Sequence, residues 1–384
     1  MFLDYGYTSF KKYDEELCGD QVAINNSKDY LTLILADGLG SGVKANILAT
    51  LTSKILCTLI SKGLPIKECV DTLIATLPVC KQRHIAYSTF SIVHLNRQGK
   101  GYLIEFDNPS CLYLSNNKIC DLDMEKINIS DKTIYKTKLD LKENDSLILF
   151  SDGVTYAGKG KTLNYGWQRK DITQYLQDRI DDQMSASCIA SLLANASETL
   201  YMHEPLDDTT VAVIKCRNRQ TVNIAIGPPS VKQDCQRYVN DFLTKEGIRI
   251  VCGGTTAKII ADYLGKKVIS SNDNQNFDLP PISKIEGIDL VTEGLLTLQK
   301  LSILASEYIK SDSIVNKQFN DKDGASLLAN YLFEKATTIN FFIGRAKNDA
   351  NEDDVIKGDS KLKTIEKLID YLKLMGKEID VIYY

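Results

Sequence analysis

Apolar positions follow two different rhythms along the chain. Up to about residue 216 they gather in short runs that suit buried strands: Tyr30–Ala36, Thr89–Leu95, Gly101–Phe106, Cys111–Leu114, Ser146–Phe150 and Thr209–Lys215. The Asn116-Asn117 pair between Leu114 and Ile119 suggests a tight hairpin turn. Val43, Ile47, Leu48, Leu51, Ile55 and Leu59 recur at helical spacing behind Ser41, a capping residue type, and predict a helix over Val43–Lys62. Pro65 suits the first turn of a second helix, Ile66–Leu77. Asp171–Ile180 and Ser185–Leu200 predict two more. Helices grouped between groups of strands favour an antiparallel α+β arrangement over a doubly wound sheet.

Beyond Thr221 the rhythm changes. Short apolar strands at Val222–Ile226, Ile248–Val251, Ile288–Val291 and Ile339–Ile343 alternate with helical stretches at Val231–Lys245, Thr256–Leu264 and Leu295–Ser311. Regular alternation predicts βαβ units around a largely parallel sheet. Two domains are expected, 1–216 and 221–384, with the boundary in the polar stretch Arg217–Gln220. Asn276–Pro281 and the acid-rich Asn348–Asp359 read as surface loops, the latter followed by a helix ending near Gly376.

Composition narrows the function classes. The chain is 43% hydrophobic and 25% charged, as soluble globular proteins are. A formal net charge of −4 supplies no global basic field, which argues against nucleic acid as the main partner. Met1–Gly6 lacks the basic-then-apolar pattern of a secretory signal, and the apolar runs fall short of the ~20 residues needed to cross a bilayer, so no membrane anchoring is expected. None of the ten cysteines is spaced C-x-x-C, so reduced thiols in a cytoplasmic protein are expected rather than a zinc or disulfide framework.

Chemistry concentrates in acidic residues at strand ends and turns. Asp20 lies in Cys18-Gly19-Asp20. Asp37 ends one strand and opens Asp37-Gly38-Leu39-Gly40-Ser41-Gly42. Asp152 stands in Ser151-Asp152-Gly153, and Asp208 in Asp207-Asp208-Thr209-Thr210. Carboxylates converging on one cleft would repel and raise each other's pKa unless cations held them. Oxygen ligands of this kind suit Mg²⁺ or Mn²⁺ rather than zinc. Gly38 lets a backbone carbonyl approach an ion, while Gly40 and Gly42 permit a sharp turn into the helix. An isolated Asp-Gly is usually only a turn; here several occur in order.

That order, Gly-Asp, Asp-Gly-x-Gly-x-Gly, Ser-Asp-Gly and Asp-Asp-x-Thr, resembles the type 2C (PPM) metal-dependent protein phosphatases. It is most similar to the bacterial branch typified by the stage II sporulation phosphatase E. Ser88-Thr89-Phe90 and Asp107-Asn108-Pro109 resemble strand motifs of that branch. The resemblance implies an α-β-β-α sandwich of two antiparallel sheets over 1–216. It implies a site of two ions, Mn²⁺ or Mg²⁺, with Asp37 bridging both, the Gly38 carbonyl and Asp20 on the first, and Asp152 and Asp208 on the second. Of the adjacent pair, Asp208 is chosen because it stands immediately before the threonines. Asp37, Asp152 and Asp208 would be the catalytic set. A hydroxide bridging the ions would attack phosphoserine or phosphothreonine directly, without a phosphoenzyme.

The resemblance further implies bacterial signalling, a phosphorylated protein substrate such as an anti-sigma-factor antagonist, and a candidate homodimer acting through the two helices behind the Asp-Gly turn. The chain departs from the wider family in two places. No arginine precedes Asp20, only Lys11 and Lys12, and Gly19-Asp20 replaces the usual Glu-Asp. The alternative reading is a catalytically silent phosphoprotein-binding module with a ligand-sensing C-terminal domain. In that domain, Gly253, Gly254, Thr255 and Thr256 join a strand to a helix and form a candidate anion-binding turn, or a simple tight turn. His84, His94 and His203 have no carboxylate or nucleophile paired with them in the sequence and are read as non-catalytic.

Overall fold

The computed structural model describes residues 1–77, 88–129, 132–270, 282–310, 323–346 and 352–384. His84 and Asn276–Pro281 lie outside the described residues. The chain forms two compact units, Met1–Asn218 and the part beginning at Arg219.

The first unit opens with strands β1 (Phe2–Phe10), β2 (Asp20–Asn26) and β3 (Tyr30–Asp37), then helices α1 (Gly42–Ser61) and α2 (Ile66–Thr76). Strands β4 (Thr89–Asn96), β5 (Lys100–Phe106), β6 (Leu112–Ser115), β7 (Lys118–Cys120), β8 (Glu125–Ile129), β9 (Lys132–Asp140) and β10 (Ser146–Phe150) follow. Helices α3 (Asp152–Tyr156), α4 (Arg169–Gln177) and α5 (Ala186–Leu200) lead to β11 (Thr209–Arg217). One antiparallel sheet runs β2-β3-β4-β5-β9-β8 and the other β1-β11-β10-β6-β7.

The unbroken apolar run of β3 has a packing reason. Leu31, Leu33 and Leu35 enter the core between the sheets, where they meet Leu147, Leu149, Ala212 and Ile214 of the opposite sheet. Ile34 and Ala36 point the other way, onto Ala49 and Leu56 of α1 and Leu73 of α2. On the far side, Ile148, Phe150 and Val213 pack against Ile189, Ala190 and Leu193 of α5. Both sheets are therefore covered on both faces, giving four layers, helix, sheet, sheet, helix. Thr32 breaks the run, and its hydroxyl shares a 2.8 Å hydrogen bond with His94 Nδ1.

Among the described helices, α1 is long and apolar enough to cross a membrane by length and composition. In this fold it lies on the six-stranded sheet with Ala45, Ala49, Leu56 and Ile60 buried. Strands β1, β2, β8 and β9 were not foreseen. Asp4 and Gly6 interrupt the alternation of β1, and β9 mixes Lys132, Lys136 and Lys138 with polar Thr133 and Thr137, leaving no apolar run.

The second unit contains β12 (Thr221–Ile226), α6 (Cys235–Thr244), β13 (Ile248–Cys252), α7 (Gly254–Leu264), β14 (Ile269–Ser270), β15 (Ile282–Lys284) and β16 (Leu290–Thr292). It continues with α8 (Leu295–Lys310), α9 (Gly324–Ala329), β17 (Thr338–Ile343), α10 (Glu352–Leu374) and β18 (Glu378–Tyr383). Sheet order is β14-β15-β16-β13-β12-β17-β18; the strands from β16 to β18 are parallel, and β14 and β15 add an antiparallel edge. Ile224, Ile250 and Phe341 pack on α8 and α10, while Ala225, Val251 and Phe342 pack on α6 and α7. The expected loop Asn348–Asp359 is helical from Glu352 onward.

Asp4 on β1 and Arg217 at the end of β11 form a buried ion pair of 3.0 Å, and the same carboxylate accepts the Ala186 N–H that opens α5. Asp4→Ala removes both this buried ion pair and the acceptor of the Ala186 N–H. Denaturant unfolding should show a loss of about 3–5 kcal/mol; a loss below ~1 kcal/mol would mean the pair does not hold strand and helix together.

Candidate functional site

The acid-bearing turns meet at one end of the sandwich because antiparallel strands bring the end of β3 beside the starts of β2 and β4. Asp20 and Asp37 are direct cross-strand partners, and Asp37 also pairs with Thr89. A pocket of about 380 Å³ opens there, lined by Lys12, Asp37, Gly38, Lys132, Asp152 and Asp207 among others. Asp20 lies behind it, 2% exposed, with neither carboxylate oxygen hydrogen-bonded. The hydroxyls of Ser151 and Thr210 stand close enough to ease its charge without pairing with it.

The structure reverses the choice between the adjacent aspartates. Asp207 lines the pocket. Asp208 is turned behind it, because consecutive side chains entering an extended strand point to opposite sides. Its Oδ1 accepts the Lys12 backbone N–H at 3.0 Å, and its Oδ2 is buried and unpaired.

Glycines make this crowding sterically feasible. A Cβ on Gly19 would lie 2.6 Å from Asp208 Oδ2, so the glutamate usual at this position would collide here. On Gly38 it would lie 2.2 Å from the Ala45 carbonyl oxygen, and on Gly153 2.1 Å from that of Asp208. Gly40 and Gly42 turn the chain into α1 with φ of +98° and +69°. The Tyr201 hydroxyl donates to the Gly153 carbonyl at 2.7 Å and pins the turn that carries Asp152.

Like charge without counter-charge shapes the electrostatics. Burial first, then Asp208 and Asp152, raise the pKa of Asp20; burial first, then Asp20 and Asp152, raise that of Asp37. Asp152 is pushed up to about 6 by burial, Asp207 and Asp208, although a hydrogen bond with Asp37 pulls it down. Burial raises Asp207 too, with Lys12 opposing. Burial beside Asp20 and Asp208 pushes the Cys18 thiol far up, which keeps it protonated.

Among the described residues no three His, Cys, Asp or Glu side chains stand ready to grasp one ion. The carboxylates lie within one another's field rather than around a single centre. Even so, the donor set fits hard divalent cations: it is all oxygen, it carries excess negative charge, and three buried carboxylate oxygens of Asp20 and Asp208 have no partner. Sequence reasoning missed Asp207 for the pocket and Lys132 altogether. Lys132 opens a strand that also carries Lys136 and Lys138, so it carries no site signal of its own. His94 stacks on Tyr30 at the opposite end of β4, and His203 faces Glu198 at 3.7 Å. The Gly253–Thr256 turn belongs to the second unit.

Residues 27–217 match the family model described as stage II sporulation protein E. This segment belongs to that family. Similar solved structures include the phosphatase domain with a fragment of the regulatory domain of SpoIIE from Bacillus subtilis: 17% identity, TM-score 0.48, covering 56% of this chain and 63% of that one. The SpoIIE-like chain thus spans less than two thirds of that structure. The RsbU and RsbW domains of a Mycobacterium tuberculosis protein show 15% identity and a TM-score of 0.47 over 68% of this chain and 74% of theirs. RsbX in complex with magnesium shows 17% identity and a TM-score of 0.39 over 56% and 95%. No curated protein matches the chain.

The raised carboxylates of the SpoIIE-like unit hold more protons folded than unfolded, so its stability falls as pH rises from the ordinary carboxylate range through about 6, the value for Asp152, and beyond. In chelator, the melting temperature should drop between about pH 5 and pH 8. Asp37→Asn removes one repelling charge at constant size and should raise it at pH 8, by ~2–4 °C per kcal/mol relieved. A flat profile, or a lower melting temperature in the variant, would mean the charges do not repel as placed.

Proposed function

We propose that the first unit is a metal-dependent serine/threonine phosphoprotein phosphatase. The observation that carries this is one pocket lined by Asp37, Asp152, Asp207 and Gly38, backed by buried carboxylate oxygens of Asp20 and Asp208 that lack partners. Asp37, Asp152, Asp207, Asp20 and the Gly38 carbonyl would hold Mn²⁺ or Mg²⁺, with Asp208 fixing the turn behind them. When bound, such ions lower the pKa of water and neutralise charge on phosphoryl oxygens.

The chain's own groups support hydrolysis by water rather than through a phosphoenzyme. The two hydroxyls lining the pocket are committed elsewhere: Ser41 donates to Glu15 at 2.8 Å and Thr89 to Asn108 at 2.6 Å. Cys18 is held as a thiol. Lys12, in the loop between β1 and β2, and Lys132, at the start of β9, supply the positive charge that an arginine supplies elsewhere in the family, and they orient the phosphoryl group of the substrate. The pocket is open enough for a phosphoserine or phosphothreonine side chain. A phosphorylated protein regulator, such as an anti-sigma-factor antagonist in the cytoplasm of a bacterium, fits this reading and the family.

The alternative, a silent phosphoprotein-binding module, draws support from the lack of a ready three-ligand cage among the described residues. Calorimetry with Mn²⁺ separates the two: no uptake at millimolar metal would favour the silent module.

Phosphate release from a phosphoserine peptide with Mn²⁺ should fall at least ~100-fold in Asp37→Asn, Asp152→Asn and Asp207→Asn, and by about 10–100-fold in Asp208→Asn, a supporting residue. Lys132→Gln should cost about tenfold in kcat/KM, mainly through KM, as one charge-assisted contact does. Wild-type activity in the Asp37 and Asp207 variants would reject the assignment.

A further inference from the structure

The second unit leaves several polar groups without partners, and they stand along the carboxyl edge of its sheet. The strand order reverses at β12: the chain builds outward through β13 and β16, then returns to the other side for β17 and β18. In open parallel sheets the turns beyond the strand ends part at such a reversal, and small ligands bind there. The turn after β12 contains Gly227, at φ +75°, and Lys361 Nζ of α10 lies 2.8 Å from where its Cβ would be. That ammonium has no ion pair or hydrogen bond among the described residues. Burial lowers its pKa, and the neutral Cys252 thiol ending β13 stands near it.

Cys252 immediately precedes Gly253, the cap of α7. Gly253 offers no side-chain acceptor, Gly254 and Thr255 are exposed, and a Cβ on Gly254 would meet nothing within 4 Å, so the first turn of α7 is open to a ligand on that side. A Cβ on Gly294 would lie 3.4 Å from the Gly253 Cα, which brings the start of α8 to the same edge. There Thr297 is fully buried with its hydroxyl unpaired, and one Glu293 carboxylate oxygen is also buried and unpaired. Such groups cost stability unless something completes them.

We propose that this edge binds a phosphorylated, hydroxyl-bearing small molecule, the chemistry shared by nucleotides and sugar phosphates. Its phosphate lies between the first turn of α7 and the Lys361 ammonium, and its hydroxyls meet the Glu293 carboxylate. The inference does not depend on the phosphatase reading.

Calorimetry on the full chain in chelator, with AMP, ribose 5-phosphate and inorganic phosphate as separate probes, tests it. AMP or ribose 5-phosphate should bind saturably and more tightly than inorganic phosphate; which of the two wins identifies a nucleotide or a sugar phosphate. Lys361→Met and Gly254→Asp should each weaken binding at least tenfold. Gly254→Asp has room for its side chain and places negative charge where α7 favours it, so its melting temperature should hold while the anion is excluded. Glu293→Gln should weaken the hydroxylated probes and leave inorganic phosphate unchanged. Absence of saturable binding up to about 10 mM, a range that covers even weak ligands, would overturn the proposal. Binding that survives both Lys361→Met and Gly254→Asp would overturn it equally.

Discussion

Aspartates that repel one another are held at one end of the first unit, and the surrounding architecture follows from keeping them there. Asp20, Asp37 and Asp152 have raised pKa values because burial removes water and their nearest charged neighbours are more aspartates. No local preference would assemble such a group. It is imposed by two sheets whose strands are apolar on both faces, so that each strand end is fixed by packing along its whole length. Burial of each large apolar side chain contributes about 1.5–3 kcal/mol, and β3 alone buries Leu31, Leu33, Ile34 and Leu35 completely. The stiff ends of these strands carry the acids, and the cores beneath offset the cost of crowding them.

The glycines beside the acids show how the sequence pattern records this packing. Gly19, Gly38 and Gly153 each occupy a place where a single Cβ would approach a neighbouring atom to 2.6 Å or less. Gly-Asp and Asp-Gly pairs thus mark points where two turns touch, as well as points where a carboxylate is presented. This is why Asp37 and Asp152 were legible in the sequence: each ends an unmistakable apolar run and is followed by a glycine. The last acid was harder to assign, since Asp207 and Asp208 are both followed by polar residues, and only the side to which each side chain turns distinguishes pocket from backing.

What stayed hidden had physical reasons. The strand β1 carries Asp4 because that residue answers Arg217 and the Ala186 N–H across the fold, a long-range pairing that breaks the alternation locally. Lys132 gains its place only when β9 joins β5 and its first residue arrives at the pocket rim. In the second unit, alternating strands and helices announced parallel pairing. Strand order is a different kind of fact, because any of several orders would satisfy the same apolar pattern.

The two units pose one physical problem, polar groups left without partners. In the first, unpaired buried oxygens of Asp20 and Asp208 add to a surplus of negative charge, and the species able to relieve it are small cations. In the second, the ammonium of Lys361, the first turn of α7 and the Glu293 carboxylate gather at the sheet edge, a mixed polar set that the proposed phosphate and hydroxyls would complete. Apart from Asp208, which holds the Lys12 N–H, the hydrophobic cores do not call for these groups. The cores on either side of each sheet are complete without these groups, and neutral residues of similar size would fill the same space at lower electrostatic cost. Groups that the hydrophobic core does not call for, and that destabilise the fold when unpaired, are where partners from solution are proposed.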